Sequence, residues 1–233
     1  MKIIESPSPN FDARPAGQKI DLIVVHYTGM KSADLALERL CDERAKVSAH
    51  YLIMEDGTVH RLVADENRAW HAGVSSWHGE RETNARSIGI ELAHPGHEWG
   101  YIAFPEPQID ALSGLVSSLM KTHTLKPRDI VGHSDVAPGR KEDPGEKFPW
   151  DRLAVDGLAV GTFQGGFDAN GDGALSYEEA LSSLRDIGYD VPEGNHSAAV
   201  LAFQRRFCPS ALGQGLSPMT KAAIEWAKRH MRN

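Results

Sequence analysis

Cysteine is scarce in this chain. Only Cys41 and Cys208 occur among 233 residues, far apart and outside any Cys-x-x-Cys pattern. That excludes a disulfide framework or a thiolate metal cage and leaves two buried thiols as the expectation. Basic charge is also in deficit: 25 Lys and Arg face 32 Asp and Glu, for a net charge of −7. A surface that neutralises phosphates is therefore excluded, and nucleic acid with it as a main partner. No apolar run approaches a membrane span, and Met1-Lys2-Ile3-Ile4-Glu5-Ser6-Pro7 has no apolar leader. On that reading the chain is expected in the cytoplasm, as a monomer; the same sequence stripped of an export signal would fit the periplasm or envelope. His-Glu-x-x-His is missing too, which excludes a helix-borne zinc peptidase.

What remains is an ordinary soluble composition, 41% hydrophobic and 24% charged, in a chain long enough for one sizeable core and a small satellite. Ile20-Asp21-Leu22-Ile23-Val24-Val25-His26 reads as a buried strand. Ser32 is placed to cap a helix running to about Lys46. His50 to Met54 and Thr58 to Val63 flank Glu55-Asp56-Gly57 as a hairpin. Residues 64–86 have no clear period, and a connection that long is usually a functional loop. Ser87 to Ala93 reads as another buried strand, and Pro107 to His123 keeps helical spacing. The fold class is therefore α/β, a mixed sheet flanked by helices over residues 1–155. Residues 156–174 read as a Gly- and Ala-rich linker. Residues 175–233 read as a small all-α domain of three helices, opened by Ser176-Tyr177-Glu178-Glu179 with capping-box spacing.

Chemistry concentrates in Val131-Gly132-His133-Ser134-Asp135-Val136-Ala137-Pro138-Gly139-Arg140-Lys141-Glu142-Asp143. A turn-rich loop of this kind can fold back, so that His133 and Asp143 meet at one metal ion while Lys141 points at the ligand. His26, at the end of its strand, is available as a third donor. Two His and one Asp leave one coordination position free, the mark of a catalytic rather than a structural zinc. Glu91 lies inside the apolar run Ile88-Gly89-Ile90-Glu91-Leu92, where an unpartnered carboxylate is costly. It either pairs with an arginine such as Arg86 or serves as an acid and base beside the metal.

The run from Asp129 to Trp150, with Val24-Val25-His26-Tyr27-Thr28 and Ser87-Ile88-Gly89-Ile90-Glu91-Leu92, resembles the zinc-dependent N-acetylmuramoyl-L-alanine amidases of the AmiD/AmpD type. Their fold is shared with a phage lysozyme and the peptidoglycan recognition proteins. The resemblance covers roughly the first two-thirds of the chain, with several separated motifs in the right order. It implies one zinc on His26, His133 and Asp143, with Glu91 as acid and base and Lys141 at the oxyanion. It also implies hydrolysis of the amide between N-acetylmuramic acid, or its 1,6-anhydro form, and L-alanine in peptidoglycan or muropeptides. Some relatives carry a tyrosine just before the histidine of the first hairpin strand. That position is Ala49 here, which leaves Glu91 as the base. A recognition protein that only binds would lack one of the three ligands. His71, Trp77 and Asn84 are expected along the groove for sugar and peptide, with support of their own loop as the alternative. His94 and His97 match no ligand position.

The last third, with Leu184-Arg185-Asp186-Ile187-Gly188-Tyr189 and Ala199 to Phe207, resembles the three-helix peptidoglycan-binding domain often attached to such amidases. Between the two parts, Asp168, Asn170, Asp172 and Glu179 have the spacing of an EF-hand calcium loop. The helix that should enter such a loop is missing, and an Asx-rich turn running into the capping box explains the same residues.

Overall fold

The computed structural model describes residues 3–165 and 175–232. In chain order its elements begin with β1 (Ile3–Glu5), β2 (Phe11–Ala13), β3 (Leu22–Tyr27) and α1 (Ala33–Cys41). A hairpin of β4 (Tyr51–Ile53) and β5 (Val59–Arg61) follows, then β6 (Asn67–Ala69), β7 (Ser76–Trp77), β8 (Glu80–Arg81), α2 (Thr83–Arg86) and β9 (Ser87–Leu92). Next come α3 (Glu106–His123), β10 (Ile130–Gly132), α4 (His133–Val136) and α5 (Trp150–Val155). Helices α6 (Tyr177–Ile187), α7 (Ser197–Phe207) and α8 (Pro218–Met231) close the chain.

Six strands form one mixed sheet in the order β1-β5-β4-β9-β3-β10. Only β4 and β5 run antiparallel, across the expected hairpin, with Gly57 at φ +84 in its turn. The central strands β4, β9, β3 and β10 are all parallel, and as buried strands they are almost unbroken apolar runs. Alternation sends Ile23, Val25, Ile88, Ile90 and Ile130 to one face, where Ile109, Leu112, Val116 and Leu119 of α3 cover them. Each such side chain contributes roughly 1.5–3 kcal/mol on burial. Gln108 pins that helix to the sheet by donating to the carbonyls of Ile53 and Ala93, both at 2.9 Å. Helix α1 stops at Cys41, short of the expected Lys46. Asp42 accepts from Arg44 N at 3.0 Å and starts a separate turn, and Lys46 adopts φ 52.

The other face of the sheet is covered by the C-terminal helices. Leu22, Val24, Val131 and Val136 share one buried cluster with Leu184, Ile187, Val200, Phe203 and Ile224. Part of the stretch expected as a linker is packed as well: Leu158, Ala159 and Val160 are buried, and Phe163 N donates to Phe207 O at 2.7 Å. A buried polar contact crosses the seam, where Tyr189 OH donates to Asp135 Oδ1 at 2.6 Å. Arg206 lies over the Trp150 ring with its Nε 3.9 Å from Asp135 Oδ2. The three helices are those expected, with Ser176 and Glu179 in a reciprocal capping box. Asp168, Asn170 and Asp172 of the calcium-loop pattern lie outside the described residues, while Glu179 accepts from Ser176 N at 2.8 Å.

Trp77 sits in this seam. It is 1% exposed, edge-on to Tyr189 at 5.2 Å between ring centroids. A Cβ on Gly188 would come within 2.6 Å of its indole. Trp77→Ala is expected to cost about 3–5 kcal/mol, as large core truncations do. Because the core is shared, calorimetry should show both parts melting together in one transition at a lower temperature. Two separate transitions would contradict a common core.

Candidate active site

Strand register builds the site. His26 lies opposite Glu91 where β3 and β9 pair, and Gly132 of β10 lies opposite Val25. His26 and Glu91, each the last residue but one of its strand, and His133, just past β10, therefore end up level with one another at the carboxyl ends of three parallel strands, where open α/β sheets place their ligands. Alternation puts Glu91 on the opposite face from Ile90 and Leu92, in line with Gly89. The loop after β10 folds back as expected, because Ser134 N donates to Asp143 O at 2.8 Å. Asp143 then reaches both imidazoles: Oδ2 is 3.0 Å from His133 Nδ1 and 3.3 Å from His26 Nδ1. The two Nδ1 atoms are 2.9 Å apart.

These three donors form a group able to hold one metal ion. They are 1%, 3% and 5% exposed, so water does little to screen them. His133 shows why a cation fits. Its Nε2 faces the Ala72 carbonyl at 3.1 Å, and a carbonyl only accepts, so the ring proton sits on Nε2. Nδ1 is then a bare lone pair aimed at another imidazole nitrogen and a carboxylate. A divalent cation among them turns this repulsion into coordination, and two imidazoles with one carboxylate suit zinc with a position left open. Burial, and then the neighbouring His133, push His26 down to about 4, so it is the neutral donor a metal requires. Burial by itself would raise Asp143, but positive charge in the space it shares with the His133 and His26 nitrogens, the place a cation would take, outweighs it. The carboxyl is held far below its usual range.

Beside this cluster lies a cavity of about 350 Å³ lined by Tyr27, Arg39, Trp70, His71, Glu91 and Lys141, among others. The arginine alternative for Glu91 is not what forms, since Arg86 pairs with Asp21 at 2.7 Å and Glu80 at 3.0 Å. Glu91 Oε2 is instead buried with no hydrogen-bond partner among the described residues. Burial first, and then the charge of Asp143, raise its carboxyl to about 8, against the opposing pull of Lys141. Arg140 ties the metal loop to the 72–74 turn by donating to the carbonyls of Ala72 and Val74.

Two residues expected along the groove are elsewhere. Trp77 is in the core, and Asn84 is absent from the cavity wall. Its Oδ1 accepts from the backbone N–H groups of His71 and Ala72 at 3.2 and 2.8 Å and so shapes the loop. His71 does reach the cavity wall, but it is buried and its Nδ1 faces His26 Nε2 at 3.0 Å. The tryptophan that lines the cavity is Trp70, one residue earlier in the same Trp-His-Ala-Gly motif. Its backbone exchanges hydrogen bonds with Ser48 at 2.9 and 3.1 Å. Arg39 of α1 had no signal in the sequence beyond its place on a helix. His94 and His97 stay out of the metal group: His94 faces Ile102 O at 3.2 Å, and His97 faces Tyr27 and Glu146.

A family model described as N-acetylmuramoyl-L-alanine amidase matches residues 16–146. N-acetylmuramoyl-L-alanine amidase AmiD of Escherichia coli (strain K12) is 32% identical over 250 residues, covering 96% of this chain and 89% of that protein. The 1,6-anhydro-N-acetylmuramyl-L-alanine amidase AmpD of the same organism is 34% identical over 166 residues, 64% of this chain and 88% of its own length. The solved complex of Escherichia coli AmiD with the substrate anhydro-N-acetylmuramic acid-L-Ala-D-gamma-Glu-L-Lys superposes with a TM-score of 0.81. It has 29% identity and covers 93% of this chain and 92% of that one. The metal donors, their placement at the strand ends and these matches agree: the chain belongs to the N-acetylmuramoyl-L-alanine amidase family.

Proposed function

We propose that this chain hydrolyses the amide between the lactyl group of N-acetylmuramic acid, or its 1,6-anhydro form, and L-alanine. The observation that carries the reading is the buried His26, His133 and Asp143 group with Glu91 and Lys141 on the wall of the same cavity. When bound, zinc supplies Lewis acidity toward the scissile carbonyl and makes water nucleophilic at neutral pH.

The protein's own part begins with Glu91. A carboxyl held near 8 lies close to working pH, where general acid–base catalysis is most effective. Ionised, Glu91 takes the proton of the attacking water. Protonated, it returns that proton to the departing alanine nitrogen, which cannot leave as an anion. Lys141 acts on both Glu91 and His26 through its charge. In the transition state its ammonium offsets negative charge growing on the carbonyl oxygen. Trp70 offers a flat apolar surface for a sugar ring or a peptide face.

The purified protein should release stem peptide from anhydro-muropeptide fragments, as measured by mass spectrometry. It should lose that activity to a chelator and regain it with zinc. Asp143→Ala should not bind zinc, because two ligands do not hold a catalytic ion. Full turnover by the metal-free protein would defeat the proposal. Parallel assays on soluble fragments and on intact sacculi distinguish the two substrate forms.

Glu91→Gln is expected to keep zinc while losing on the order of a hundredfold or more in kcat. Lys141→Ala should lower kcat more than it raises KM, because its charge matters chiefly in the transition state. Unchanged kcat in either variant would remove that residue from the chemistry.

A pH signature accompanies Glu91. Its folded value of about 8 stands above the ordinary 4.5. The proton is therefore bound more tightly in the folded state, and its contribution to stability is full below pH 4.5 and lost as pH rises toward 8. Melting curves of the zinc-free proteins between pH 5 and 9 should show Glu91→Gln gaining on the wild type across that window. Curves that stay parallel would mean that Glu91 titrates normally.

A further inference from the structure

His26 makes a hydrogen bond on the side away from the metal, and that bond begins a chain. His26 Nε2 is 3.0 Å from His71 Nδ1. His71 Nε2 is 3.1 Å from Ser87 Oγ, and Ser87 Oγ donates to the carbonyl of Thr83 at 2.6 Å. His71, Ser87 and Thr83 are all buried, Ser87 and Thr83 completely.

The far end of this chain sets its direction. Two oxygens 2.6 Å apart need a hydrogen between them, and only the Ser87 hydroxyl has one to give. Its proton is thus committed to Thr83, and toward His71 the serine oxygen only accepts. A neutral imidazole has one donor and one acceptor. His71 must therefore carry its proton on Nε2, facing Ser87, and present a bare Nδ1 to His26. His26 in turn must carry its proton on Nε2, and its Nδ1 is the bare nitrogen facing His133 and Asp143.

We propose that the Thr83 carbonyl, acting through Ser87 and His71, sets the tautomer of His26 and so selects Nδ1 as its metal-binding nitrogen. The proposal rests on the metal assignment above and names His71 and Ser87 as positioning residues for the site. The surrounding residues fit this purpose. A Cβ on Gly89 would fall 2.3 Å from the His71 ring, so the glycine in the strand is what gives the ring its place. Asn84 holds the His71 backbone from the other side. The Ala72 carbonyl does for His133 in one step what this chain does for His26 in three.

Long-range proton–nitrogen NMR on ¹⁵N-histidine-labelled, zinc-loaded protein reads the proposal directly. It should find His71 neutral with its proton on Nε2, and His26 protonated on Nε2 and coordinating through Nδ1. Ser87→Ala should shift His71 toward a mixture of tautomers and lower zinc affinity, by chelator competition, about tenfold to a hundredfold, as loss of a partner behind a ligand does. His71→Gln keeps an acceptor and a donor on one planar group and should retain more zinc affinity than His71→Ala. Coordination of His26 through Nε2, or a His71 proton on Nδ1 in the wild type, would overturn the proposal. So would Ser87→Ala that melts lower yet binds zinc as before, since that would be packing alone. If Ser87→Ala does not fold, the wild-type spectrum and the comparison of His71→Gln with His71→Ala decide. Loss of turnover with the His26 and His71 tautomers intact would count against the proposed reaction and leave this inference standing.

Discussion

The fixed register of three parallel strands is the constraint on which the site depends. Because β3, β9 and β10 are hydrogen-bonded neighbours with fixed register, a histidine, a glutamate and a second histidine arrive together from positions 26, 91 and 133. A slip of one residue in either pairing would turn Glu91 or His133 to the opposite face. Apolar residues on both sides of the sheet hold the register. The α3 face and the C-terminal helix face are each a continuous buried cluster, so a slip would expose one of them.

Within that frame, charge is handled unevenly, and the unevenness separates the roles. Asp143 is buried but shares its space with two imidazole nitrogens, and positive charge gathered there holds it ionised. Glu91 is half-buried with its inner oxygen unmet among the described residues, which favours its protonated form. The two carboxyls share a cavity and have opposite environments, one suited to holding a cation and the other to carrying a proton. Leaving Glu91 Oε2 buried without a hydrogen-bond partner among the described residues destabilises the fold to some degree, which is typical of catalytic groups.

The C-terminal helices belong to the same argument. They cover one face of the sheet and, through Tyr189 and Arg206, surround Asp135, whose other oxygen accepts from Gly132 N at 2.7 Å immediately before His133. Arg205 adds an ion pair to Glu142, the neighbour of Asp143, at 3.0 Å. That pair is near the surface and worth little, whereas the buried contacts with Asp135 are costly to break from one side. The module thus supports the loop that carries two metal donors, in addition to whatever ligand its resemblance implies.

Much of this was legible in the sequence, because local periodicity and short motifs carry it. The strand ending at His26, the hairpin at Gly57, the helix over Glu106–His123 and the three terminal helices all follow from patterns a few residues long. So does the pairing of His133 with Asp143, since the turn residues between them bring the chain back on itself. Tertiary structure decided what depends on neighbours distant in sequence. Trp77 and Trp70 look alike as aromatic residues in one loop, yet only the folded chain reveals that Trp77 is core against the docked helices and that Trp70 lines the cavity. Asn84 could reach a ligand or its own loop, and the position of the His71 backbone settles it. Whether residues 156–165 hang free or pack was equally undetermined by composition, because Gly and Ala suit both. The direction of the hydrogen bonds behind His26 was the least visible of all. It depends on a carbonyl at Thr83, and a backbone acceptor has no signature in a sequence until the fold shows what stands opposite it.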